Sequence, residues 1–366
     1  MRKIGLIVNP IAGIGGRLGF KGSDGVLAKK ACELGGTSSA PGRTVEALHE
    51  ILEAMNGVAL LTYPSKMGQE EAVKCGIDPI VLGKIEEGNT TADDTKRAVR
   101  EMIKEGVDLI VFSGGDGTAR DVMEIVEERV PVLGIPAGVK MHSGVFAINP
   151  RLAGKLIINF LSGQSSTRPE EVLDYDDEGN LKLYGYMRVP YEEALIQESK
   201  SYIAGYENEA KWIAAGIIEE ISVDHAYIIG PGTTAKALMI GLGVPYTLLG
   251  VDVVKGRKLL IGDANEGQLL NVVNRFNSKI VVGVVGGQGF LFGRGNQQIS
   301  PSVIRKVGKE NLIVLATEEK IASLKGKPLL VDTGDQQLDQ SLIGYIRVNT
   351  GYRSSTICRV SQSRTL

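Results

Sequence analysis

Leu109-Ile-Val-Phe-Ser-Gly-Gly-Asp-Gly-Thr118 is the stretch whose reading decides the fold. Leu109, Ile110, Val111 and Phe112 are apolar without a break, the pattern of a strand buried on both faces of a parallel sheet. Helical spacing resumes beyond Thr118 with Val122, Ile125 and Val126. A glycine turn leading from the C-terminal end of such a strand into a helix is where an open α/β sheet binds phosphate. Gly114, Gly115 and Gly117 let the backbone approach an anion with no Cβ in the way, and the first amides of the helix point outward at the favourable end of its dipole. Asp116 is the one acid in this cradle. A carboxylate beside a polyanion has two uses, holding a magnesium ion or taking the proton of an attacking hydroxyl, and both belong to phosphoryl transfer. The plainer alternative is a tight strand-to-helix turn in which Asp116 caps the helix.

Outward from this stretch, strand and helix alternate through residues 1–150. Residues 4–8 form an apolar run that stops at Asn9-Pro10, and a glycine-bearing loop with Gly13, Gly15 and Gly16 follows. Val45, Leu48, Ile51, Leu52 and Met55 recur at helical spacing before a second strand over residues 58–61. Thr91 with Asp94 marks a helix start and Gly106 its end. Residues 131–135 read as a further buried strand. The pattern predicts an α/β, Rossmann-like parallel sheet with helices on both faces and ligand at the carboxyl ends of the strands. The loops at 13–16, 114–118 and 138–144 then lie along one edge.

From 151 to 350 the character changes to a strand-rich α+β domain. Residues 173–176 and 181–189 flank an Asp-Asp-Glu-Gly-Asn turn and read as a hairpin. A helix is expected over 207–221, with Trp212 packed in its core beside Ile213, Ile217 and Ile221. Strands are expected at 226–229, 248–254, 259–261, 280–285 and 312–316. The first of these runs into Gly230-Pro-Gly232-Thr233-Thr234, which is either a second anion-binding turn or a capped helix start. A last hairpin is placed about Asn349-Thr-Gly351, and the tail, 351–366, either packs back or frays.

Composition narrows the function. The 366 residues, 43% hydrophobic, suffice for two ordinary cores. Net charge is −2 with acids and bases interspersed, so the basic footprint of a nucleic-acid binder is missing and any phosphate site is local. No run approaches a membrane span and the apolar start is too short for a signal peptide, so the expected address is cytoplasmic. Cys32, Cys75 and Cys358 are too widely spaced for a zinc knuckle and odd in number, which argues against disulfides. The three histidines, His49, His142 and His225, lack metal-site spacing.

The 109–118 run resembles the GGDGT block of the ATP-NAD kinase family, a block shared with diacylglycerol and sphingosine kinases. Asn9-Pro-Ile-Ala-Gly13-Ile-Gly15-Gly16 and Pro131-Val-Leu-Gly-Ile-Pro-Ala-Gly138 are similar to the flanking family segments. Gly286-Gly-Gln-Gly-Phe-Leu-Phe-Gly-Arg-Gly-Asn-Gln-Gln298 resembles the ATP-NAD/AcoX branch. The resemblance implies a magnesium-dependent kinase carrying a phosphoryl group from ATP, or polyphosphate, to the adenosine ribose 2′-hydroxyl of NAD. It also implies small-molecule substrates, no nucleic-acid or membrane partner, and a homo-oligomer. Asn9, Pro10, Gly13, Gly15, Gly16, Gly114, Gly115, Gly117 and Thr118 would then hold nucleotide phosphate, with Asp116 catalytic and the magnesium ligand. Arg120, Asp121, Gly138, Lys140, His142, Ser143, Gly232, Thr233, Asn265, Glu266 and Arg294 are candidate substrate contacts. At 138–146 the family pattern Gly-x-Asn-x-Gly-x-Leu-Gly-Phe is replaced by Gly138-Val-Lys140-Met-His142-Ser143-Gly144-Val-Phe146, which points to a changed acceptor. Two alternatives follow, a kinase of another small alcohol and a non-catalytic nucleotide-binding regulator.

Overall fold

The computed structural model describes residues 2–20, 25–126, 129–139, 141–176, 180–192, 196, 207–285 and 288–362. Two compact units emerge, the first made of Met1–Ile14 and Gly22–Ser199, the second of Gly15–Lys21 and Lys200–Thr365. The sequence-based boundary at 150 therefore falls inside the first unit, because the helix and hairpin that follow it pack there.

In the first unit the strands β1 (Arg2–Val8), β2 (Val58–Thr62), β3 (Ile80–Val81), β4 (Leu109–Gly114) and β5 (Val132–Pro136) form one parallel sheet in the order β3-β2-β1-β4-β5. All six residues of β4 are buried, as an uninterrupted apolar run in a two-sided sheet requires. The helices are α1 (Gly25–Glu33), α2 (Ala40–Ile51), α3 (Gln69–Lys74), α4 (Ala92–Lys104), α5 (Asp116–Val126) and α6 (Pro150–Leu161). From β1 the chain crosses by α2 to one side of the sheet and returns by α4 to the other, so right-handed crossovers place the α2–α6 and α4–α5 pairs on opposite faces. The expected hairpin is present and longer, with β6 (Ser166–Tyr175) antiparallel to β7 (Leu181–Tyr191), packed against α5 and β5. Of its expected turn, residues 177–179 lie outside the described residues.

The second unit carries a nine-stranded mixed sheet. Its strands are β8 (Ala226–Ile229), β9 (Asp252–Lys255), β10 (Lys258–Ile261), β11 (Ser278–Gly283), β12 (Phe290–Phe292), β13 (Leu312–Leu315), β14 (Leu329–Val331), β15 (Gly344–Gly351) and β16 (Ser354–Gln362). Their order is β10-β9-β8-β11-β13-β15-β16-β14-β12. Helices α7 (Glu207–Glu220), α8 (Thr233–Gly241), α9 (Glu266–Arg275), α10 (Pro301–Val307), α11 (Glu318–Ser323) and α12 (Gln336–Leu342) are interposed. Through residue 362 the C-terminal segment is the strand between β15 and β14, not a frayed end, and 363–366 lie outside the described residues.

One core assignment is corrected. Trp212 is 62% exposed, while Ala210, Ile213, Ala214, Ile217 and Ile221 are buried. Those five residues keep the three-four spacing of one helix face, and Trp212, a position before Ile213, is rotated off it by about 100°. The three cysteines are free.

Candidate functional site

Three loops of the first unit meet where β1, β4 and β5 end. The Asn9 amide donates to the Ser113 carbonyl at 2.9 Å, carrying the chain from β1 across the end of β4. Asn9 Nδ2 donates to Thr118 Oγ1 at 3.0 Å, and its Oδ1 accepts from the Ile11 amide at 3.2 Å. The Gly114 carbonyl accepts from the amides of Ala137 and Gly138, both at 2.9 Å, which ties the loop after β5 to the same point. Gly114 is required for packing, since a Cβ there would collide with the Thr118 side chain. Gly13 is required for its backbone: φ is +79°, and a Cβ would lie 2.5 Å from the Ala137 carbonyl oxygen. Gly115 and Gly117 stay half-buried, whereas Thr118 is buried with its hydroxyl taken by Asn9.

Asp116 opens α5 and is 5% exposed. Its Oδ2 accepts from the His142 amide at 2.7 Å, and its Oδ1 from the Ser143 amide at 3.1 Å and the Ser143 hydroxyl at 2.6 Å. Burial pushes its carboxyl up to about 7; the nearby Asp174 charge adds to the rise, and the bonds from residues 142 and 143 oppose it. Residues 142–144 are in turn fixed to β6. Ser143 bonds the Leu173 backbone, the Gly144 amide donates to the Glu171 carbonyl at 2.9 Å, and the His142 ring meets Tyr175 edge-on at 5.1 Å. The arrangement is a buried base-capable carboxylate beside half-buried glycine backbone at the rim of a parallel sheet, which suits proton removal from a hydroxyl during phosphoryl transfer.

Models of the ATP-NAD kinase N-terminal and C-terminal domains match residues 4–165 and 224–360. The chain belongs to the ATP-NAD kinase family. No curated protein matches it. Among solved structures it is similar to a diacylglycerol kinase from Bacillus anthracis str. Sterne, 18% identical over 50% of this chain and 62% of that one, with a TM-score of 0.21. It is also similar to S. aureus MnaA with UDP, 13% identical over 93% of this chain and 87% of that one, with a TM-score of 0.24. The chain spans between 42% and 62% of the Bacillus anthracis proteins it matches.

The remaining expected contacts of this member of the ATP-NAD kinase family divide sharply. Arg120 pairs with Asp174 on β6 at 3.4 Å and stacks on Tyr184, 5.1 Å from the ring centre. Asp121 faces α4, where Lys96 lies 3.7 Å away. Both side chains are engaged in the packing of α5 within the first unit. Lys140, and Gly286 and Gly287 of the later glycine run, lie outside the described residues. Gly15 and Gly16 fall in the second unit, where their carbonyls accept from Phe20 and Gly19, and the Arg17 carbonyl accepts from the Glu266 amide at 3.0 Å. Gly232, with φ +113°, precedes α8, and Thr233 is its first residue. Asn265 caps α9, its Oδ1 accepting from the Gln268 amide at 3.0 Å while Gln268 Oε1 accepts from the Asn265 amide.

Arg294 is buried, with Nη1 donating to Asp332 Oδ2 at 2.8 Å and its guanidinium 4.4 Å from the centre of the Phe290 ring. The desolvated guanidinium is held between a carboxylate and an aromatic face within the second unit. The reading of residues also missed the part played by Leu173, Asp174 and Tyr175, for a hairpin strand carries no motif that announces a site.

Asp116 Oδ2 accepts one hydrogen bond and Oδ1 two, and among the described residues no group of three His, Cys, Asp or Glu side chains is placed to hold an ion. A magnesium ion bound through phosphate and water oxygens needs only one or two carboxylates from the protein. Among the described residues no helix is long and apolar enough to cross a membrane.

Proposed function

We propose that this ATP-NAD kinase family member is an NAD kinase, moving the terminal phosphoryl group of ATP, or of polyphosphate, to the 2′-hydroxyl of the adenosine ribose of NAD to give NADP. The observation that carries the reading is Asp116, a carboxylate at the C-terminal rim of the first sheet whose proton affinity is raised to about 7. A base titrating near neutrality combines a useful ionised fraction with enough basicity to take a hydroxyl proton. In the reaction the acceptor O–H gives its proton to Asp116, its oxygen bonds the terminal phosphorus, and the bond from that phosphorus to the bridging oxygen breaks as ADP leaves. Half-buried Gly115 and Gly117 offer backbone to the donor phosphates, which arrive with their own divalent ion. Gly232 and Thr233 at the start of α8 are assigned to substrate on the same ground of a helix N-terminus behind a glycine turn.

A second reading keeps the donor and changes the acceptor to another small alcohol. It is favoured by the 138–146 segment, where the family asparagine is absent. Incubating the purified protein with ATP, magnesium and NAD, and analysing for NADP, tests the first reading. Phosphorylation of a different alcohol with NAD untouched overturns it in favour of the second, and nucleotide binding with no turnover on any acceptor leaves a regulator. Substituting polyphosphate for ATP in the same assay identifies the donor.

A further inference from the structure

Ser38 and Ser39 stand where α2 starts, outside every motif of the first sheet's rim. Ser39 occupies the N-cap position of α2, where a serine oxygen ordinarily accepts from an amide of the first turn. It makes no such bond. Its hydroxyl instead donates to the Ala137 carbonyl at 2.7 Å, across 98 positions, and its amide donates to the Ala12 carbonyl at 3.1 Å. The Ser38 hydroxyl donates to the same Ala12 carbonyl at 2.8 Å. At the end of β4 the Ser113 hydroxyl donates to the Ala40 carbonyl at 3.4 Å. The start of α2 is thereby bonded to the loop after β1, the end of β4 and the loop after β5.

We propose that Ser39 is a positioning residue for the phosphates of the donor, fixing the loops after β1 and β5 to each other and holding their carbonyls away from the anion. The proposal rests on the phosphoryl-transfer reading above. Backbone that binds phosphate presents amides, and a carbonyl oxygen turned to the same polyanion would repel it. The Ala12 and Ala137 carbonyls are both taken by donors at the start of α2. In the same loop the Gly13 amide has no acceptor among the described residues, which leaves it for a ligand. Gly13, the Ser39 hydroxyl and the Ala137 carbonyl meet at one point, since a Cβ on Gly13 would collide with Ser39 Oγ and lie 2.5 Å from the Ala137 oxygen. Ser39 acts through these two loops and touches neither substrate.

Helix initiation does not account for these bonds. A capping serine stabilises its own helix, whereas this hydroxyl is spent on a carbonyl far along the chain. Pro41, in the first turn of α2, has no N–H and so removes one of the amides that a cap would satisfy. Asn9 ties the loop after β1 to α5, and the Gly114 carbonyl ties the loop after β5 to the end of β4. Ser39 adds the link between the two outer loops, which lie on either side of β4.

The test compares the full-length protein with Ser39→Ala and Ser39→Thr by titration calorimetry with ATP and magnesium, and by steady-state kinetics. In Ser39→Ala the Kd and the KM for ATP rise about five- to tenfold, the worth of one hydrogen bond. The kcat and the KM for the acceptor stay within about twofold, as for a loss confined to donor binding. Ser39→Thr keeps the hydroxyl donor and returns both constants towards wild type. A serine that only supports the fold would lower the melting temperature and leave the ATP affinity of the folded protein unchanged. An unmoved Kd for ATP in folded Ser39→Ala, a fall in kcat with the KM for ATP unmoved, or a folded threonine variant that restores neither constant overturns the proposal. If the alanine variant does not fold, Ser39→Cys replaces it: its weaker donor raises the Kd, and an unmoved Kd overturns the proposal equally. Calorimetry needs no turnover, so a wild-type protein that binds ATP yet phosphorylates no acceptor overturns the kinase reading alone, and equal affinities in wild type and Ser39→Ala overturn the role of Ser39 alone. A wild type that binds neither ATP nor polyphosphate overturns both.

Discussion

A single carboxyl, that of Asp116, sets most of what this protein is expected to do at the residue scale. Asp116→Ala should lower kcat by about 10²- to 10⁴-fold while nucleotide still binds, measured by initial rates beside titration calorimetry. Loss of nucleotide binding with the rate, in a folded variant, would make Asp116 a structural cap only. Because the base must be ionised, the rate of the wild-type protein should rise with pH up to about 7 and then level. Stability has the opposite sign. The folded carboxyl holds its proton up to about 7 against 3.8 ordinarily, so its contribution to folding is complete below pH 3.8 and is lost as pH rises through 7. Glu71, also pushed to about 7 by burial, acts in the same direction. The melting temperature should therefore fall between about pH 4 and 7 and then level, and Asp116→Asn should flatten part of that slope, with Glu71 keeping the rest. Arg294 supplies a contrast, being a charge buried for structure. Asp332→Ala removes the carboxylate from its guanidinium and should cost about 3–5 kcal/mol in denaturant unfolding, whereas Arg294→Met with Asp332→Leu should recover most of that loss.

At the scale of elements, local chemistry in the chain chooses most starts and stops. Thr91 and Asp94 were readable as a helix start, and the Asp94 carboxylate accepts from the Thr91 amide at 2.7 Å and the Thr91 hydroxyl at 3.1 Å. Asp94→Ala should destabilise the first unit by about 1 kcal/mol, read from the shift in unfolding midpoint at constant slope, and no shift would show the cap to be idle. The parallel strands were readable for the same local reason: β4 and β5 are apolar runs ended by glycine or proline. Trp212 was not, since an aromatic residue among isoleucines reads as core until the phase of the helix is known. Nor was the two-residue β3, whose Ile80 and Val81 are exposed and carry no periodicity.

For the whole molecule, the second sheet is closed by the last part of the chain. β16 lies between β15 and β14, so removing residues 352–366 severs β14 and β12 from the remainder. Hydrogen exchange on that truncated chain should show the amides of β12 and β14 unprotected, and full protection there would mean that the strand order is not what holds them. By itself the sequence determined that a parallel sheet presents a glycine turn and an acid at its rim, and it placed the chain in a kinase family, because apolar runs, glycines and the order Gly-Gly-Asp-Gly-Thr act through neighbours in the chain. Only the tertiary structure decided what the acid meets. Asp116 is bound by residues 142 and 143, and Ser143 by Leu173, separations of 26, 27 and 30 positions. Arg294 finds Asp332 across 38. Such partners are chosen by packing and desolvation, and no spacing along the chain encodes them.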